Sequence, residues 1–277
     1  MDRGDPCAPP ETARQPYHWH VNILLTAVLF ALSLFLGLLA CLEIGRRIGL
    51  ARLARDPEGA RAGTGAVDGA IYGLLGLLVA FTFSGAASRF EERRKLVGEE
   101  ANAIGTAYLR LDLLPAEAQG PLKEKFRQYV DSRLASYRKL PDVVAAKAEL
   151  ARSVALQGEI WRDAVAALRL PGAPAPVAVL PPINDMIDIT TTRLVGMQTH
   201  PPTIIFVLLG GITLVAGLLA GHGMAGGQKR SLLHMLVYAT VMAGAVYVIV
   251  DLEYPRGGLI RVDVADQTLL DVRNGMK

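Results

Sequence analysis

Cysteine is scarce: Cys7 and Cys41 are the only two in 277 residues. Their spacing suits no metal site, and two thiols cannot make the framework of a disulfide-stapled secreted domain. Charge of one sign is also missing. The 29 Lys and Arg against 26 Asp and Glu leave a net charge of +3, too little to single out a nucleic-acid partner. Catalytic signatures are absent as well, with no P-loop, Rossmann, HExxH or GxSxG pattern. No internal repeat of fixed period occurs. The chain therefore reads as a non-enzyme with no cofactor and no metal.

Apolar sequence is what the chain has in excess. Hydrophobic residues make up 51% of it and mean hydropathy is +0.31, yet 20% of residues are charged, so the apolar residues must be concentrated. They form four blocks, Val21–Leu42, Ala66–Ala87, Thr203–His222 and Leu232–Val250, each near the roughly 20 residues that cross a bilayer core as a helix. A soluble enzyme and a disordered protein are excluded. The first block with Leu38-Leu39-Ala40-Cys41 has a rival reading as a cleaved signal. Its apolar run is longer than the ~7–15 residues of a signal core, which favours a retained helix.

The fold class expected is an all-α integral membrane protein, with four transmembrane helices in two hairpins and a helical aqueous domain between helices 2 and 3. The divisions are residues 1–20, a tail ending in the interfacial group Tyr17-His18-Trp19-His20; 21–87, the first hairpin; 88–202, the aqueous domain; 203–250, the second hairpin; and 251–277, a C-terminal tail with a short helix around 265–273. In the loop Glu43–Gly65, Arg46, Arg47, Arg52, Arg55 and Arg61 accompany Ile44, Ile48 and Leu53. That pattern suits either a short basic helix lying on anionic lipid headgroups or a solvated linker. The second span meets no proline before Pro115, so one helix leaves the membrane and continues into water. Leu122, Phe126, Tyr129, Val130, Leu134 and Tyr137 form one helical face, and Val143, Leu150, Val154, Trp161, Val165 and Leu168 a second.

No block carries an ionisable residue at its centre: Glu43, Asp68, His222, His234 and Asp251 all lie near block ends. A pump or voltage sensor needs such groups inside the membrane. Helix packing is then the informative signal. Gly69 and Gly73, and again Gly217 and Gly221, have the spacing that lets helix backbones approach closely. Gly73, Leu77 and Phe81 share one face of the second span. This face either packs on the other spans or, with several copies around an axis, forms an apolar constriction that gates by dewetting. The carboxylates Glu91, Glu92, Glu99 and Glu100 among Arg89, Arg93, Arg94 and Lys95 read as an ion-paired helix surface.

The stretch Gly76-Leu77-Leu78-Val79-Ala80-Phe81-Thr82-Phe83, followed by Ser88-Arg89-Phe90-Glu91-Glu92-Arg93-Arg94-Lys95-Leu96-Val97-Gly98, resembles the second transmembrane helix of bestrophins. The segment from Asp251 to Asp263 is similar to the acidic segment after their last helix, matched at Asp251 and Glu253. Glu99 to Arg110 and Gln198-Thr199-His200-Pro201-Pro202 resemble the bacterial bestrophin-like membrane proteins grouped as DUF4239. The resemblance covers about residues 66–273. It implies a homo-oligomer, a pentamer, conducting small inorganic ions, with Gly73, Leu77 and Phe81 on an apolar pore neck. Arg89, Glu91, Arg93, Asp251 and Glu253 are the charged motif residues. It further implies a multi-pass protein of the bacterial inner (plasma) membrane, with the helical domain and termini inside. The basic residues of the two short loops point to the opposite orientation under the positive-inside rule. The alternative function is a non-conducting scaffold or signalling protein whose helical domain binds a partner.

Overall fold

The computed structural model describes residues 23–55, 65–140, 142–226, 231–255 and 258–277. The Tyr17–His20 anchor, Cys7, Arg61, Pro141 and the Arg256-Gly257 pair lie outside the described residues. Among those described, regular structure is entirely helical. Eight α-helices follow in order: α1 Ile23–Arg55, α2 Gly65–Arg110, α3 Ala116–Arg138, α4 Val143–Ala167, α5 Leu180–Gln198, α6 Thr203–Gly223, α7 Leu232–Glu253 and α8 Asp263–Gly275. Four candidate spans are long and apolar enough to cross a membrane.

α1 does not stop at the end of its apolar block. Glu43 takes Arg46 (Nε to Oε2, 3.2 Å) and Arg47 (Nε to Oε1, 2.8 Å) as ion pairs one turn on. These pairs and the absence of proline carry the helix to Arg55. A separate helix between Glu43 and Arg55 is therefore ruled out: the basic stretch is the end of the span itself, with Ile44 and Ile48 left half exposed. α2 is one helix of 46 residues, about 69 Å long at 1.5 Å per residue, more than twice a bilayer core. It ends in a 3-10 turn, Leu111–Leu113, where Leu114 turns extended ahead of Pro115.

Two apolar cores result. In the span region Leu34 and Leu38 of α1, Leu75 and Ala86 of α2, Leu209 and Ala216 of α6, and Ala239, Val246 and Ile249 of α7 pack together. Away from the spans Ile104, Leu111, Phe126, Tyr129, Ile160, Ile183, Met186 and Leu269 form the other, and Phe90 touches both. The span surfaces remain greasy outside, with Leu25, Leu29, Leu36, Leu74, Ile204, Val207 and Val241 about half exposed or more. In water so much uncovered apolar surface is untenable, and in lipid it is the expected exterior.

Close packing inside the span bundle runs mainly between α1 and α6. Gly45-Arg46-Arg47-Ile48-Gly49 on α1 meets Gly217 and Gly221 on α6. A Cβ at Gly45 would collide with the Leu218 carbonyl, and one at Gly221 with the Leu42 carbonyl. A Cβ at Gly49 would lie 2.6 Å from that of Ala225, and one at Gly217 2.7 Å from Leu38 Cδ2. The two backbones touch because neither side has a side chain between them.

Outside the spans the α3 face is as the periodicity predicts, with Leu122, Phe126, Tyr129, Val130 and Leu134 buried and Tyr137 half-buried. The α4 face is not. Ala146, Ser153, Leu156, Gln157, Ile160, Ala164 and Ala167 are buried, whereas Val154 is 54% exposed. Small residues let α4 lie close to α3, and Gln157 is drawn inward because its amide donates to Tyr129 Oη (3.1 Å) and Thr190 Oγ1 (2.9 Å). The segment after α7 folds back so that α8 docks on α2 and α3. Arg273 pairs with Asp131 (Nε to Oδ1, 2.7 Å), and Tyr108 Oη donates to the Lys277 carbonyl (2.6 Å).

Candidate functional site

Arg89 and Arg93 stand one turn apart on α2, just beyond its apolar part, and so face the same way. They meet the C-terminal end of α7. Arg89 Nε donates to Glu253 Oε1 at 2.8 Å, and its Nη2 donates to the same oxygen. Arg93 Nη2 lies 3.8 Å from Glu253 Oε2. Arg93 also donates to four carbonyls: Gly196 (3.2 Å) and Thr199 (2.9 Å) at the end of α5, and Leu252 (3.5 Å) and Glu253 (3.0 Å) at the end of α7. One buried guanidinium thus occupies the negative ends of two helix dipoles while sitting on a third helix. Five N–H donors in a planar fork suit this task; a lysine could not serve four carbonyls at once.

His200, in the linker between α5 and α6, completes the cluster. Its Nδ1 is 3.4 Å from Arg93 Nη2 and 3.6 Å from Glu253 Oε2. Its ring stacks on Tyr254 with centroids 4.8 Å apart. Burial pushes the Tyr254 phenol above its ordinary pKa, and the Glu253 carboxylate adds to the rise. The cluster ties α2, α5 and α7 where the two apolar cores meet.

Asp251 has a different task. Its Oδ2 accepts from Ile260 N (2.8 Å), and both oxygens accept from Leu259 N (3.1 Å each). Gly258 lies so near that a Cβ there would collide with the carboxylate. Backbone donors aimed at the carboxylate make it the anchor of the returning chain and leave it a poor cation ligand. Among the described residues no three His, Cys, Asp or Glu side chains are grouped to hold a metal. Glu91 pairs with Arg94 (3.0 Å) on the same helix and is exposed.

A second buried cluster lies further along α2. Glu100 is fully buried and takes Arg133 of α3 (Nε to Oε1, 2.7 Å) and Arg193 of α5 (Nη1 to Oε2). Arg133 Nη2 also donates to Tyr137 Oη (2.6 Å), and both guanidiniums lie over the Tyr137 ring, at 5.3 and 4.7 Å. The α2 charges are therefore not one surface. Glu91, Arg94, Lys95 and Glu99 pair locally outside, while Arg89, Arg93 and Glu100 reach inward to other helices. The helical period could have separated the two sets; nothing local names the partners of the second.

Gly73, Leu77 and Phe81 lie on an uncovered face of α2, with Leu77 51% and Phe81 67% exposed. This face does not pack on the other three spans. Among the described residues nothing comes within 4 Å of a Cβ built at Gly69 or Gly73, so the described helices do not pack closely on this glycine pair. Gly217 and Gly221 sit in the α1–α6 contact. The α1 half of that contact, Gly45 and Gly49, was missed because those glycines fall among arginines; their four-residue spacing was the signal available.

Comparisons with known proteins follow the same architecture. A family model described as Bestrophin-like domain matches residues 51–266. A crystal structure of a membrane protein carrying a single substitution superposes with a TM-score of 0.65 at 17% identity, covering 87% of this chain and 98% of the other. A crystal structure of a bacterial bestrophin homologue from Klebsiella pneumoniae, also with one substitution, gives 0.62 at 17% identity, over 86% and 98%. No curated protein matches the chain. With the family model spanning most of its length, the chain is a membrane protein belonging to the Bestrophin-like family.

Proposed function

We propose that the chain is one subunit of an oligomeric ion channel for small inorganic ions, with α2 at the axis. The carrying observation is the uncovered α2 face. α2 is the least covered of the four candidate spans, and Gly69, Gly73 and Gly76 on it have open space around them. Glycine weakens a helix and gives lipid nothing to pack against, whereas it lets neighbouring backbones approach. Copies gathered around this face would surround an axis with Gly73, Leu77 and Phe81, an apolar neck that gates by dewetting.

Family membership supports the reading, and with it a ring of five, two helical hairpins in chain order and residence in a bacterial inner membrane. The divisions 21–87, 88–202 and 203–250 belong to the same proposal, with the 88–202 domain on the cytoplasmic side. The exposed Arg47, Arg52 and Arg55 at the end of α1 then contact anionic headgroups across the membrane.

Native mass spectrometry in mild detergent gives the stoichiometry, and flux from liposomes containing the purified chain gives the activity. The expected result is a ring whose flux changes in Leu77→Ala and Phe81→Ala. A monomer without flux overturns the proposal. A reproducible soluble partner crosslinked to residues 116–199, again without flux, would establish the scaffold reading instead.

A further inference from the structure

Between α7 and α8, the side chains of Leu259-Ile260-Arg261-Val262 alternate inward and outward. Ile260 packs on the apolar core of the spans, and Val262 is buried in the other core. Leu259 is 76% exposed, and Arg261 is exposed as well. The segment therefore crosses from one core to the other within a few residues. On its outer side it shows a leucine beside the span core and an arginine one step beyond, at most about 7 Å further along the chain. A single exposed leucine needs no explanation on a water-facing surface. One held by its neighbour at the level of the span core does.

The backbone of this segment is made for a place short of water. It is not helical, and at the edge of a hydrocarbon layer each unpaired N–H is costly. Asp251, itself 2% exposed near the end of α7, meets that need. Its carboxylate accepts from Leu259 N at 3.1 Å and from Ile260 N at 2.8 Å.

We propose that the bilayer surface meets the protein along this segment, with Leu259 inserted at the edge of the acyl chains and Arg261 on a phospholipid phosphate. Through Ile260 the segment is continuous with the spans, whose outer surface is already lipid-facing. A second copy of the chain is the other surface that would cover Leu259. Apolar at one level and cationic at the next is the order of a lipid–water boundary, and a protein neighbour gives no reason for it. Arg261 Nε donates to the Gly258 carbonyl (3.3 Å), which holds the guanidinium beside the segment. A planar fork of five donors keeps that bond while binding a phosphate. The inference uses only the membrane class of the chain and stands whether or not copies form a channel.

The test is a nitroxide at Leu259→Cys in the full chain carrying Cys7→Ser and Cys41→Ala, reconstituted in phospholipid vesicles. Collision with oxygen, which enters lipid, is compared with collision with a water-soluble nickel chelate. Leu233→Cys, 69% exposed on a span, is the lipid reference, and Val154→Cys, 54% exposed on α4, the water reference. Exposure at all three positions keeps the label out of either core. The expected result is that the 259 label is open to oxygen and loses nickel contact, as at 233 and unlike at 154. Arg261→Gln should raise nickel contact at 259, and Arg261→Lys, which keeps the charge, should not. A 259 label as open to nickel as that at 154 overturns the proposal. So does one closed to both reagents, which would mark a contact with a second copy. An Arg261→Gln variant with unchanged nickel contact overturns the phosphate contact.

Discussion

Glu100→Gln isolates the energetics of the buried charge cluster between α2, α3 and α5. The substitution keeps volume and removes one negative charge from a site where Glu100 is fully buried and Arg133 and Arg193 are 2% and 4% exposed. In the native chain the carboxylate gives one oxygen to each guanidinium. Without its charge two cations remain buried and close together over the Tyr137 ring. Breaking a buried pair by removing one partner costs about 3–5 kcal/mol, and here one removal orphans two partners, which points to the upper part of that range. Taking about 4–5 kcal/mol at roughly 2–4 °C per kcal/mol for chains of this size, the apparent Tm should fall by about 8–20 °C.

Differential scanning fluorimetry in one detergent at one scan rate measures the shift. Glu99→Gln, one residue away and half-exposed with Lys95 as its partner (3.3 Å), is the control and should move Tm by no more than about 0.5 kcal/mol equivalent. Arg193→Met alone should cost less than Glu100→Gln, because Arg133 keeps its carboxylate. Combined with Glu100→Gln it should cost less than the sum, since it removes one of the orphaned cations. A Glu100→Gln variant no less stable than Glu99→Gln would refute the reasoning.

Three further outcomes are expected. Gly221→Ala places a methyl against the Leu42 carbonyl and should lower Tm by the equivalent of about 1–3 kcal/mol or more; Gly69→Ala, inside α2 with open space around it, should not lower Tm and should raise it by the equivalent of about 0.4–1 kcal/mol. Arg93→Lys keeps the charge but loses most of the four carbonyl contacts, so hydrogen exchange at Gly196–Thr199 and Leu252–Tyr254 should accelerate by about tenfold or more, while Arg94→Lys should not affect it. The Lys139 ammonium, hydrogen-bonded to Glu149 at 2.6 Å, holds that carboxyl below the usual range. Its folded pKa is below its unfolded value, so the contribution is present above about pH 4.3 and is lost as pH falls through the folded value. Lys139→Ala should raise the Glu149 pKa read by NMR and remove that part of the acid dependence of Tm.

The span positions and the long α2 were legible because both follow from averages over many residues. Some 20 apolar residues in a row have one stable environment, and a stretch without proline or a turn signal has no reason to break. The α3 face was legible for the same reason: Leu122, Phe126 and Tyr129 are large, apolar and evenly spaced. The α4 face was not, because Ser153, Gln157 and three alanines carry little hydropathy, and their burial depends on how closely α3 approaches. The end of α1 was misread since arginines at helical spacing look alike on a surface helix and on the rim of a span.

By itself the sequence determined the membrane class, the helical order and which residues are charged near the ends of the spans. Only the tertiary structure decided what those charges do. Arg89 and Glu253 are 164 residues apart, and Glu100 is 33 and 93 residues from its two arginines. Hydropathy and periodicity describe a residue among its chain neighbours, whereas a buried ion pair is chosen by which helices the apolar cores bring together. The same holds for the glycines. Spacing marks Gly69 and Gly73 and Gly217 and Gly221 alike, but only the fold sets the second pair against the backbone of α1 and leaves the first pair open.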